Sequence, residues 1–150
     1  MMLSYGGWLL VLGILGAANL IIAKIPSAKD MIGKMAAYQG WFGVASVFYG
    51  FFEVFQSVMN MRYMGVSPPL GLIFWVLFLA NGLLQIALGI LLGVGVMKTF
   101  VKEPAAVEKM DKLVMKLAPF QGILGLLAIG VAIGFIALSF MITAAAAVVS

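Results

Sequence analysis

The nine basic and five acidic side chains of this chain fall in clusters, leaving uncharged runs at residues 1–23, 35–52, 63–97 and 117–150. A helix rises ~1.5 Å per residue and needs ~20 apolar residues to cross a hydrocarbon core of ~30 Å. Three runs meet that length outright. The second meets it only if Glu53 is accepted within the span and the helix is carried on to Asn60. The runs therefore predict an all-α integral membrane protein with four transmembrane helices in a single domain over residues 1–150. Their length disfavours a β-barrel, whose strands alternate polar and apolar residues over ~10-residue segments. Composition agrees, with 9% charged residues and a mean hydropathy of +1.20, against about 25% charged residues in soluble domains.

Orientation follows from the basic residues. Lys24, Lys29 and Lys34 lie in the first connection, Arg62 alone in the second, and Lys98, Lys102, Lys109, Lys112 and Lys116 in the third. The positive-inside rule places connections one and three in the cytoplasm and both termini outside. A bacterial inner membrane is the expected location. The lysines of the third connection are then candidates for contact with anionic lipid headgroups, and no nucleic-acid partner is expected. No Lys or Arg precedes the first run, so it reads as a retained helix and not as a cleaved signal. The chain has no cysteine and no histidine, which removes thiolate sites and the commonest metal ligand. Neither a metal nor a cofactor is expected.

One motif occurs twice. Lys34-Met-Ala-Ala-Tyr-Gln-Gly-Trp-Phe-Gly43 matches Lys116-Leu-Ala-Pro-Phe-Gln-Gly-Ile-Leu-Gly125 at five of ten positions. Each copy closes a basic segment and opens an apolar run. Upstream, Leu12-Gly13-Ile14-Leu15 matches Leu88-Gly89-Ile90-Leu91, if the third connection holds an insertion. These matches predict two tandem hairpins, at about residues 4–60 and 70–149, related by a pseudo-twofold axis along the membrane normal. Such parallel repeats differ from the inverted repeats of many alternating-access carriers. Gln39, Gly40, Gln121 and Gly122 would lie at the inner surface, where they are candidates for a shared binding site or for headgroup contacts.

Glu53 is the one acid in an apolar run. A carboxylate there costs roughly 2.5 to 3.5 kcal/mol on insertion scales for central positions. Phe48, Tyr49, Phe51, Phe52 and Phe55 are expected to surround it near the outer surface. Two readings compete: an ion pair with Arg62, or a proton- or cation-binding site with Gln56, Asn81 and Gln85 beside it. Phe135 stands at the repeat-equivalent position, so the acid belongs to one unit only.

Local signals complete the picture. Tyr5 and Trp8 suit the outer headgroup layer, and Asn19 suits an interhelical hydrogen bond. Ser27-Ala28-Lys29-Asp30 resembles a capping box, from which a helix is expected to run unbroken into the second span. Pro68 and Pro69 suit a turn before the third span, and Pro119 suits the first turn of the fourth. Val107, Met110, Val114 and Leu117, set against Lys109, Lys112 and Lys116, predict a short amphipathic cytoplasmic helix before helix four, with Glu108 and Lys112 as an i,i+4 pair. Gly13, Gly16, Gly89, Gly93, Gly130 and Gly134 form small-residue stripes for close helix packing.

No paired carboxylates or phosphate-cradling loop is present, so no enzymatic activity is expected. The leading expectation is a non-catalytic subunit or scaffold that assembles through its small-residue faces, as a homo-oligomer or within a larger membrane complex. The alternative is a proton- or cation-conducting protein that uses Glu53.

Overall fold

The computed structural model describes residues 2–62 and 69–149, with the side chains of Met2, Leu3 and Tyr5 outside the description. Its regular elements are all helical: α1 (Met2–Gly16), α2 (Ala18–Lys24), α3 (Lys29–Ala36), α4 (Gln39–Met59), α5 (Leu70–Phe100), α6 (Pro104–Leu117) and α7 (Gln121–Val149). Short 3-10 turns at Pro26–Ala28 and Ala118–Phe120 lead into α3 and α7. The turn expected at Pro68 and the interfacial ring of Tyr5 lie outside the described residues.

Among the described residues α4, α5 and the continuous α6–α7 unit are long and apolar enough to cross a membrane. Segments Gly6–Gly16 and Ala18–Lys24 pass the same test only together, and they are bent by 74°. The straight first helix expected over residues 4–23 is therefore broken. Sharp bends arise where small residues or proline interrupt the helical ladder, and Gly16 immediately precedes this one. Ala17, 1% exposed, is wedged at the corner. Asn19 lies exposed just beyond it.

The helix expected to run into the second span is broken as well. α3 ends at Ala36, Tyr38 N–H donates to the Met35 carbonyl at 3.1 Å, and α4 starts afresh at Gln39. The break falls where the second motif copy has its 3-10 turn, although Ala37 replaces Pro119 as the residue there. No capping box forms, because Ser27 sits inside the preceding 3-10 turn and Ala28 is the residue flanking α3. α6 is amphipathic as its spacing predicts: Val107, Met110, Val114 and Leu117 are half-buried, and Lys109, Lys112 and Lys116 are exposed. Glu108 and Lys112 pair at 2.8 Å.

Two helix pairs make up the bundle. α4 packs most extensively on α5, and α1 on α7. Glycine decides how closely each pair approaches. A Cβ placed on Gly43 would collide with Gly93 N and stand 2.8 Å from the Gly89 carbonyl oxygen; one on Gly125 would collide with Ala17 N and stand 2.8 Å from the Gly13 carbonyl oxygen. Farther along, a Cβ on Gly82 would lie 3.0 Å from Val54 Cγ2 and 3.1 Å from the Gly50 oxygen. Its counterpart on Gly6 would lie 2.9 Å from Ile136 Cγ1 and 3.2 Å from the Ala132 oxygen. Each of these glycine contacts of one pair thus has a partner in the other, displaced by 82 residues between α4 and α7 and by 76 between α1 and α5. Both pairs are antiparallel, since higher numbers on one helix meet lower numbers on the other.

Leu9, Leu12 and Leu15 of α1, Leu84, Leu88 and Leu92 of α5, and Ala128 and Ala132 of α7 join into one buried apolar cluster. The outward faces are equally apolar. Phe48, Phe51, Phe52 and Phe55 of α4 are each more than half exposed. Such faces suit hydrocarbon surroundings, where exposure of apolar side chains carries no penalty.

Candidate functional site

On α4 the buried residues are Gly43, Ser46, Gly50, Glu53 and Ser57. Their spacing of three, four, three and four residues marks one face of a helix with 3.6 residues per turn. Glu53 is thereby turned away from the aromatic side chains around it in sequence. This corrects the expectation of an aromatic shell: Phe48, Tyr49, Phe51, Phe52 and Phe55 are each half exposed or more, and the carboxylate is 0% exposed between two helices. Gly50 and Gly82 bring the two backbones together at this level, and a Cβ on Gly82 would stand 3.1 Å from Glu53 Cβ.

Asn81 and Gln85 sit one turn apart on the facing side of α5, both fully buried. Asn81 Nδ2 donates to Glu53 Oε2 at 2.5 Å, and Gln85 Nε2 donates to the same oxygen at 3.0 Å. The hydrogen bonds of Glu53 thus come from α5, and not from Arg62 as the ion-pair reading requires. Three oxygens in the cluster have no hydrogen-bond partner: Glu53 Oε1, Asn81 Oδ1 and Gln85 Oε1. A buried acceptor left unpaired costs about 1–3 kcal/mol, and more where charge is involved. An added proton on Glu53 Oε1, or a cation among the three oxygens, would supply what is missing. Further acceptors would not help, since what the cluster lacks is donated hydrogen or positive charge.

Gln56 does not join this cluster. It lies on a neighbouring face of α4, half-buried, and accepts from Asn60 Nδ2 at 3.3 Å. Three hydrogen bonds that sequence reasoning missed brace the site. Ser57 Oγ donates to the Glu53 carbonyl at 2.9 Å, Trp75 Nε1 donates to the Ser57 carbonyl at 2.8 Å, and Trp8 Nε1 donates to Ser46 Oγ at 2.7 Å. The spacing of the small and polar residues on α4 was the available signal for Ser46 and Ser57. No local pattern signals the two indole bonds, which join residues 18 and 38 apart in sequence.

The other singled-out residues are placed as follows. Gln39 and Gln121 are the first residues of α4 and α7, and they line two clefts, Gln39 with Lys29 and Lys34, and Gln121 with Gly16 and Pro119, that share Asn19 as a lining residue. A Cβ on Gly40 would meet Val96, and one on Gly122 would meet Leu20. Gly13, Gly16, Gly89 and Gly93 all pack against helices of the same chain, Gly134 touches only Leu77, and Gly130 has nothing within 4 Å. Lys98 pairs with Asp111, fixing the end of α5 to α6, while Lys102, Lys109, Lys112 and Lys116 are exposed. Among the described residues no cluster of acidic side chains has the makings of a multi-carboxylate metal site. Compared with protein-family models, with curated proteins and with solved structures, the chain finds no match.

Proposed function

We propose that this chain is a four-span membrane protein that takes up a proton or another cation at Glu53. Its two like-oriented hairpins, about residues 4–60 and 70–149, place the lysine-rich connections in the cytoplasm and both termini outside, in a bacterial inner membrane. The observation that carries the reading is the buried carboxylate whose two amide neighbours leave three oxygens without partners. An ionisable residue inside a membrane bundle is expensive and faces its interior or an aqueous cavity, where it marks an ion path or a proton relay. The matched contacts of the two helix pairs support the duplicated architecture.

A proton serves the site economically. Bound to Glu53 Oε1, it removes the charge and donates to one amide oxygen, while Oε2 keeps both of its donors. A metal ion must instead assemble several oxygens at once. The scaffold reading has less to draw on, because Gly13, Gly16, Gly89 and Gly93 are occupied within the chain. It retains the open surface of α7 around Gly130, which suits attachment of a partner helix.

The test is Glu53→Gln in the purified chain reconstituted into liposomes, with pH- and potential-sensitive dyes inside. The substitution keeps shape and hydrogen-bonding capacity and removes the exchangeable charge. Wild type should pass or exchange protons or monovalent cations, and the variant should not. Equal ion movement in both, or none in wild type together with altered assembly of the variant, would return the protein to the scaffold reading.

A further inference from the structure

We propose that the cleft between α1, α4 and α5 receives a small organic ammonium ion, held against two aromatic faces and balanced by Glu53 through Gln85. The proposal rests on Glu53 being a cation-accepting carboxylate. The cleft has a volume of about 340 Å³ and is lined by Ser4, Trp8, Ala45, Tyr49 and Gln85. Ligand pockets run from about 300 to 1,000 Å³, so this one suits a molecule of few heavy atoms.

Gln85 connects the cleft to the carboxylate. It lines the cleft, donates its amide N–H to Glu53 Oε2 at 3.0 Å, and is fully buried with its own Oε1 lacking a partner. An ammonium N–H given to that oxygen completes its hydrogen bonding and sets a positive charge one amide away from Glu53. The walls provide for the rest of such a molecule. Trp8 is held in place by its bond to Ser46 and by Phe42, whose ring centroid lies 5.0 Å from its own. Indole and phenol faces attract organic cations, and the alkyl part meets Ala45 and ring carbon.

Other occupants fit less well. A small divalent cation exchanges six or more oxygen ligands for its hydration shell, and among the described lining residues only Ser4, Tyr49 and Gln85 carry side-chain oxygen. A neutral alcohol of the same size forgoes both the attraction of the rings and that of the carboxylate. In the other helix pair the counterparts of Gln85 and Glu53 are Leu9 and Phe135, both fully buried, so the duplicated frame offers this chemistry once.

The experiment titrates the full chain in lipid nanodiscs with propylammonium chloride by calorimetry, beside 1-propanol and sodium chloride. Propylammonium should bind saturably and the other two should not at the same concentrations. Glu53→Gln should weaken binding about tenfold or more, through loss of the countercharge one amide away. Tyr49→Leu, at a half-exposed position, should weaken it about threefold through the lost ring. Equal binding of sodium, or propylammonium binding that neither substitution alters, overturns the proposal. Proton uptake by the same samples after a pH jump separates the two levels. Uptake that depends on Glu53 without any propylammonium binding removes the organic ligand and leaves the proton reading standing. Uptake and binding both indifferent to Glu53→Gln remove the two together.

Discussion

The α4/α5 and α1/α7 pairs use the same backbone contacts and differ in what fills them. At matched positions one pair buries Glu53 and Gln85 and the other buries Phe135 and Leu9. Even the hydroxyl bonds correspond: Ser57 donates to the Glu53 carbonyl at 2.9 Å and Ser139 to the Phe135 carbonyl at 2.8 Å. Glycine-mediated approach therefore holds a helix pair together without any polar cluster in it. The carboxylate is thus not a requirement of this kind of packing.

That comparison breaks most visibly at the glycines. Gly43→Val and Gly125→Val each drive a side chain into the partner backbone, so both should abolish the native bundle. Each should lower stability by more than about 4 kcal/mol, the range reserved for gross overpacking of a core. Gly130→Val, which meets open space, should change stability by no more than about 0.5 kcal/mol. Thermal unfolding of the detergent-solubilised chain, read by circular dichroism, measures all three. A tolerated valine at position 43 beside a lethal one at 125 would end the equivalence of the two pairs.

Exchanging the distinguishing residue gives the next largest effect. Phe135→Glu places a carboxylate where Leu9 replaces the Gln85 amide, and an uncompensated buried charge costs about 3–5 kcal/mol. In the opposite direction, Glu53→Phe loses the hydrogen bonds of Asn81 and Gln85 but also the buried charge, so its net cost should be smaller. A chain that accepts both exchanges equally would show that Asn81 and Gln85 do not distinguish the sites. The smallest effect sharpens the likeness: Ser57→Ala and Ser139→Ala each remove one local hydroxyl bond, and each should shift stability by under about 1 kcal/mol and by similar amounts. A large effect at Ser57 alone would mean that its bond serves Glu53 and not the helix.

Much of this arrangement can be read from the residues before any coordinates. The clusters of charge mark the apolar helices, and the Lys-to-Gly motif marks where α4 and α7 begin. Gly13 and Gly89 stand at matched positions in sequence and in space. The bend at Ala17 is not legible, because Gly16 is one of 18 glycines and most of the others sit in unbroken helix. The direction in which Glu53 points was available in the spacing of Gly43, Ser46, Gly50, Glu53 and Ser57. Neighbours in sequence drew the aromatic residues around it instead, although on a helix adjacent positions diverge by about 100°. Asn81 and Gln85, 28 and 32 residues away, are named from the sequence as its polar neighbours together with Gln56; that both donate to one carboxylate oxygen while Gln56 turns elsewhere is tertiary information.

The bond from the Trp75 indole to the carbonyl of Ser57 has one more result. The final carbonyls of a helix have no intrahelical partner and turn to solvent or to side chains. Here a large ring from the neighbouring helix caps one of them, a single turn beyond Glu53. The same ring lines a cleft of about 500 Å³ with Ser57 and Asn60, so the tether ties down a carbonyl at the rim of an open hollow. Trp75→Ala should loosen the last turn of α4, and deuterium exchange at the amides following Ser57 would time the fraying.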